Sequence, residues 1–179
     1  MLHTPLTDSL VIRRASVADA QLLVSLSVDT FFETFAPIND AAHMQQYRDE
    51  EMNEQKLTAE LADDNNFFFF ASLGDTVIGY AKVRNAYTPA ELQGHHCIEL
   101  ERLYLLKQYH DQKAGAALMQ HCINHAHQYH YDTMWLGVWE HNERALRFYS
   151  KWGFTVFGSH IFRLGNDEQT DLLMKKNLG

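Results

Sequence analysis

Residues 98–119, IELERLYLLKQYHDQKAGAALM, run from an alternating apolar stretch through a polar turn into the opening of an amphipathic helix. This is a strand, a tight loop and a helix N-terminus in succession. Alternation assigns sides to the strand: Glu99, Glu101, Leu103 and Leu105 on one face, and Leu100, Arg102 and Tyr104 on the other. At the helix start, Ala114, Gly115, Ala116 and Ala117 carry a short side chain or none. The unpaired N–H groups of such a start point outward and the summed peptide dipoles favour an anion. A pyrophosphate can therefore rest against residues 111–116 without a cationic side chain. A strand that feeds such a loop belongs inside a sheet, where a carboxylate needs a purpose or a partner.

Around this stretch lie 179 residues, which fit one domain spanning 1–179, with a 46% apolar fraction typical of a globular core. No run approaches the roughly 20 apolar residues of a membrane helix. Met1 to Leu10 contains Pro5 and Asp8 where a secretion signal needs a basic start and an apolar core, so a cytoplasmic location is expected. Cys97 and Cys122 lack metal-like spacing and are expected as buried thiols. A net charge of −8 argues against nucleic acid as a partner and is compatible with a cationic substrate. His121, His125, His127 and His130 are the densest of the eleven His. His121 and His125 are four apart on one helical face, but no Asp, Glu or Cys nearby completes a set, so no metal site is expected.

Along the chain, LVIRRA (10–15) reads as a first strand, and Ser16 with Asp19 as a capping-box start for a helix that ends before Pro37. Asn39 or Asp40 caps a second helix, and residues 54–62 form a third. Residues 66–86 are two β-runs about Gly74–Asp75, a hairpin whose four consecutive Phe demand cover on both faces. A polar loop, 85–96, precedes the opening stretch. TMWLGVWE (133–140) is a further strand. HNERALRFYSKWGF begins with a cap and closes on a glycine, and the tail is a last hairpin about Gly165–Asn166.

The order of strand, Asn142, Ala145, Tyr149 and Gly153–Phe154 after the loop resembles the GNAT superfamily of acetyl-CoA-dependent N-acetyltransferases, from about Val11 to Leu178. At ELER (99–102), WLGVWE-N (135–142) and the ending GSH-F-LG-DEQTDLLM, it narrows to bacterial PaiA-type spermidine/spermine acetyltransferases. The resemblance implies an α/β fold, a mixed, mostly antiparallel twisted sheet of about six to seven strands flanked by helices. It also implies direct transfer of an acetyl group to a primary amine in a ternary complex, with no metal. The family's loop pattern Gln/Arg-x-x-Gly-x-Gly/Ala falls on His110, Asp111, Gln112, Lys113, Ala114 and Gly115. His110 thus stands at the Gln/Arg position and Lys113 replaces the first glycine, where it either crowds the pyrophosphate or swings out to pair with it.

The same resemblance places acetyl-CoA against Leu103, Tyr104, Leu105, the loop to Ala116, and Asn142, Ala145 and Tyr149. Glu101 is expected to take the amine proton and Tyr149 to protonate the departing thiolate. The helices over 31–51 are expected to line the acceptor side, and His160, Phe162 and Asp171 could border it. Expected partners are CoA and a small amine, with a homodimer as a possibility and neither nucleic acid nor membrane. The alternatives are acetylation of protein N-termini or lysines, and a non-catalytic acetyl-CoA-binding regulator.

Overall fold

The computed structural model describes residues 9–111 and 113–179, so Gln112 and most of the segment read against a secretion signal lie outside the described residues. The first strand β1 (Leu10–Arg14) leads into helix α1 (Ala20–Phe35). Asp19 accepts from the Ser16 backbone N–H (2.8 Å) and grips Arg13, which holds its carboxyl at about 2. Helix α2 (Ala41–Glu51) is capped by Asp40, whose side chain accepts from Ala42 and His43, and α3 (Glu54–Ala62) by Asn53. The hairpin is β2 (Asn66–Leu73) and β3 (Thr76–Arg84), followed by β4 (Cys97–Leu105) and α4 (Ala114–Gln128). The chain ends with β5 (Thr133–Trp139), α5 (Glu143–Lys151), β6 (Thr155–Leu164) and β7 (Asp167–Asn177).

The seven strands form one sheet in the order β1-β2-β3-β4-β5-β7-β6. Every neighbouring pair is antiparallel except β4 and β5. The mixed, mostly antiparallel fold is therefore as expected. The four Phe are covered on both faces. Phe69 joins the core under α4, with Phe67 packed against it, and Phe68 and Phe70 join Leu23, Leu26 and Leu57 from α1 and α3. Burying each such ring contributes about 2–3 kcal/mol.

Two irregularities in β4 create the site. The first is a bulge. Lys82 pairs with Arg102 but Val83 pairs with Leu100, so Glu101 is an extra residue with no partner in the ladder. Simple alternation fails there. Leu100, Leu103 and Leu105 all pack with the α4 core, while Tyr104 packs on the α1 side and Arg102 reaches Glu60 of α3. The sequence expectation that Glu101, Leu103 and Leu105 share a face is corrected by this one inserted residue. The second irregularity is a splay: β4 and β5 stay paired only from Cys97–Thr133 to Glu99–Trp135, and beyond that they part.

Candidate active site

The wedge between the parted strands opens into a cleft of about 1030 Å³. Its walls include Leu100 to Leu105 of β4, Gly137 to Trp139 of β5, the first turn of α4 and one side of α5. Backbone N–H and C=O groups of β4 that face the gap past Glu99 are no longer used by β5, and these are obligatory hydrogen-bonding groups.

One end of the cleft lies at the start of α4. Lys113 adopts the left-handed region (φ 57°), a conformation that glycine takes freely and that costs a side-chain-bearing residue about 1–2 kcal/mol. That explains why a glycine is the expected occupant. Gly115 and Ala116 line the cleft just inside the helix, with the exposed cations Lys107, Lys113 and Arg144 beside them. None of these three has an acidic side-chain partner within salt-bridge reach among the described residues.

His110, at the expected Gln/Arg position, spans two groups. Its Nε2 lies 3.0 Å from the Leu105 carbonyl and its Nδ1 faces the Arg144 guanidinium. A guanidinium only donates, so Nδ1 accepts and Nε2–H donates to Leu105: the neutral imidazole. Burial, with Arg144 adding to it, holds the His110 pKa below the ordinary value. The cleft reaches Leu103, Tyr104, Leu105, His110, Lys113, Gly115, Ala116, Asn142, Ala145 and Tyr149. Asp111 and the fully buried Ala114 are not on its wall, and Gln112 is outside the described residues.

Gly115 is itself buried, and a side chain there would meet Leu105 and Phe148. Ala116 is exposed, which makes it the cleaner probe of anion binding. Ala116→Asp places a carboxylate in the first turn, where it favours the helix by about 0.3–1 kcal/mol. Acetyl-CoA affinity should nevertheless fall about tenfold or more, since about 1.4 kcal/mol of repulsion at close range is enough for that factor. Isothermal titration beside a melting curve checks it. Unchanged affinity removes the phosphates from this helix start.

On the α1 side of the sheet stands a neutral ladder of charges. Lys82, Arg84 and Arg102 face Glu60, Glu99 and Glu101. Lys82 Nζ is 2.8 Å from Glu60 and 2.5 Å from Glu101, and Arg84 is 2.5 Å from Glu99 and 3.0 Å from Glu101. Burial alone would raise Glu101, but Arg102, Lys82 and Arg84 more than reverse this and hold it below the usual carboxylate range. Burial raises Glu99, with Arg84 only partly offsetting it. The α5 side carries Asn142, whose side chain caps that helix at Ala145 N–H (3.2 Å), and Tyr149. Burial pushes the Tyr149 phenol well up, so it stays protonated at neutral pH.

The far end is aromatic and acidic. Phe31 and Phe35 of α1, Tyr47 of α2 and Phe162 of β6 line it, joined by Glu91 from the 85–96 loop and by His160 and Asp171. Sequence reading missed Lys107 and Arg144, which stand next to the motif stretches LYLL and HN. It also missed Lys82 and Arg84, whose only signal was two cations in an otherwise buried strand. His121 and His125 pack against Phe69 and Phe67 on the opposite face, and His125 is held at about 4 by burial. Among the described residues no three potential metal ligands come together, and no helix is long and apolar enough to cross a membrane.

A sheet wedged open beside a bare helix start leaves a long cleft with an anion-favouring end. Residues 28–154 match the acetyltransferase (GNAT) family. The chain belongs to that family and is an acetyl-CoA-dependent N-acetyltransferase. An uncharacterized N-acetyltransferase of the pepI 3′ region of Lactobacillus delbrueckii subsp. lactis is 35% identical over 165 residues, 92% of this chain and 95% of the relative. An uncharacterized N-acetyltransferase of Mycobacterium tuberculosis is 31% identical over 163 residues, 90% of this chain and 99% of the relative. Among solved structures, the PaiA N-acetyltransferase of Thermoplasma acidophilum in complex with coenzyme A superposes with a TM-score of 0.79. It is 24% identical, with 94% of this chain and 99% of that chain covered, and so shares the fold.

Proposed function

We propose that the chain acetylates a primary amine of a small polycation of the spermidine or spermine type. The observation that carries this is the far end of the cleft. There Glu91 and Asp171 have no Lys or Arg partner among the described residues and stand among aromatic faces. Ammonium groups separated by methylenes suit such a surface, since cations over aromatic rings gain about 0.5–2 kcal/mol and the methylenes pack on the rest.

The cleft also fits the donor. The gap between β4 and β5 suits a narrow arm, and the α4 start with Lys107, Lys113 and Arg144 suits its phosphates. Acetyl-CoA supplies the activated acetyl group. The chain's own work is to orient it, to polarise its carbonyl with N–H groups of β4 that face the gap, and to manage two protons. Tyr149 offers the phenol proton to the departing sulfur. For Glu101, a carboxylate held by Lys82 and Arg84 is better suited to fixing the bulge than to accepting a proton.

The test is steady-state acetylation, read as CoA release, across diamines and polyamines of different length beside peptides with free N-termini and lysines. Polyamines should give the highest kcat/KM. A clear preference for peptide amines overturns the polyamine reading.

A further inference from the structure

We propose that His160 accepts the proton of the attacking amine and that Asp171 positions it, a dyad carried by the last hairpin and not by the central strand. The inference rests on the amine-acetylation reading above. His160 and Asp171 are directly opposite each other in the β6–β7 register, with Nε2 and Oδ2 3.7 Å apart. Both line the cleft. The His160 side chain is 47% exposed and that of Asp171 16%, so the imidazole is the more open of the two to water.

The dyad lies against β5 just past the splay. Gly137, two residues beyond the last β4–β5 pair at Trp135, has no side chain, and one beginning there would come within 3.3 Å of His160 Cε1 and 3.6 Å of Asp171 Oδ2. The absent side chain leaves the imidazole at the wall where the two strands part.

The rival carboxylates on β4 are already committed, Glu99 to Arg84 and Glu101 to Lys82 and Arg84. An imidazole ring nitrogen with a free lone pair can take a proton directly, and His is the side chain most often used as a general base. With Nε2 turned to Asp171, the free ring nitrogen is Nδ1. The ammonium N–H bond breaks, its electron pair stays on the amine nitrogen, and the proton passes to Nδ1 and then to water. Asp171 supports the imidazolium while it exists. Among the described residues Asp171 of β7 lies against His160, and Glu91 lines the same cleft, its Oε1 3.8 Å from where a side chain at Gly158 would begin. β5 presents Gly137 and Trp139, and α2 presents Tyr47 over Phe162.

His160→Gln keeps a polar side chain of similar size without the basicity. Its turnover at pH 7 should fall on the order of a hundredfold and recover as pH rises toward the amine pKa, with the KM for acetyl-CoA unchanged. In Asp171→Asn the acidic limb of the pH–rate profile should move to lower pH, because the imidazolium loses its anionic support. Should His160→Gln show a lowered melting temperature, His160→Ala is assayed with added imidazole, which should restore turnover. Wild-type turnover and pH profile in His160→Gln, or no rescue of a folded His160→Ala, overturns the dyad. The assays use whichever amine the wild type acetylates fastest. A peptide preference thus sinks the polyamine reading while the dyad is still tested, and a wild type that acetylates no amine overturns both.

Discussion

Tyr149→Phe should bind acetyl-CoA as the wild type does and turn over roughly ten to a thousand times more slowly, water substituting in part for the lost proton. The substitution leaves the ring's packing intact: Tyr149 meets Phe148 edge-on at 5.5 Å and Phe154 at 5.9 Å between centroids, contacts that a phenyl ring repeats. Burial keeps the phenol protonated through neutral pH, so the group acts as donor over the whole range of a usual assay. Binding by titration calorimetry and turnover by CoA release separate the two effects. Equal turnover in the two proteins returns Tyr149 to a packing role.

Glu101→Gln should be the most destabilising conservative change in the cleft. Lys82, 2% exposed, would keep only Glu60 in place of two carboxylates, and Arg84 would keep only Glu99. Leaving buried cations short of an anion costs on the order of 3–5 kcal/mol, which lowers Tm by roughly 10 °C for a chain of this size. The sign of the pH dependence follows. Glu101 titrates lower folded than unfolded, so it stabilises above the ordinary carboxylate pKa, and that contribution is lost as pH falls through the folded value. The variant should therefore lose less stability than the wild type on acidification below about pH 4.5. Thermal melts of both proteins from pH 7 to pH 3 measure this, and parallel acid limbs would contradict it.

The strands, helices and both hairpins were legible because each carries a local signal: Asp40 and Asn142 as caps, Gly74 and Gly165 at turns, four Phe that need two covered faces. The position of Gly153 after α5 was equally plain, its φ of 85° closing that helix. Within the site, the stretch of cleft wall from Leu103 to Ala116 was legible from the alternating run and the bare helix start.

The bulge at Glu101 was not legible. It depends on how β3 registers against β4, a long-range fact with no mark in ELER itself, and it reversed the face assigned to Leu103 and Leu105. The charge ladder was hidden for the same reason: Lys82 and Arg84 come from β3, and Glu60 from α3. His160 and Asp171 are eleven positions apart and meet only because the last turn sets their register.

The two faces of the sheet differ in continuity. Under α4 a single apolar core runs from Phe69 of β2 to Met174 of β7. On the other face the apolar residues fall into three separate groups, around Phe68, Phe31 and Trp135, with the cleft between them. The backbone ladder crosses from one half of the sheet to the other through only three residue pairs. The molecule is thus built like a book bound along one side, and the cleft is the opening in which the proposed acetyl donor would lie. Its occupancy adds to the folding free energy, by about 2.7 kcal/mol at a hundred times its Kd. Resistance to heat and to proteases should then rise with occupancy of the cleft.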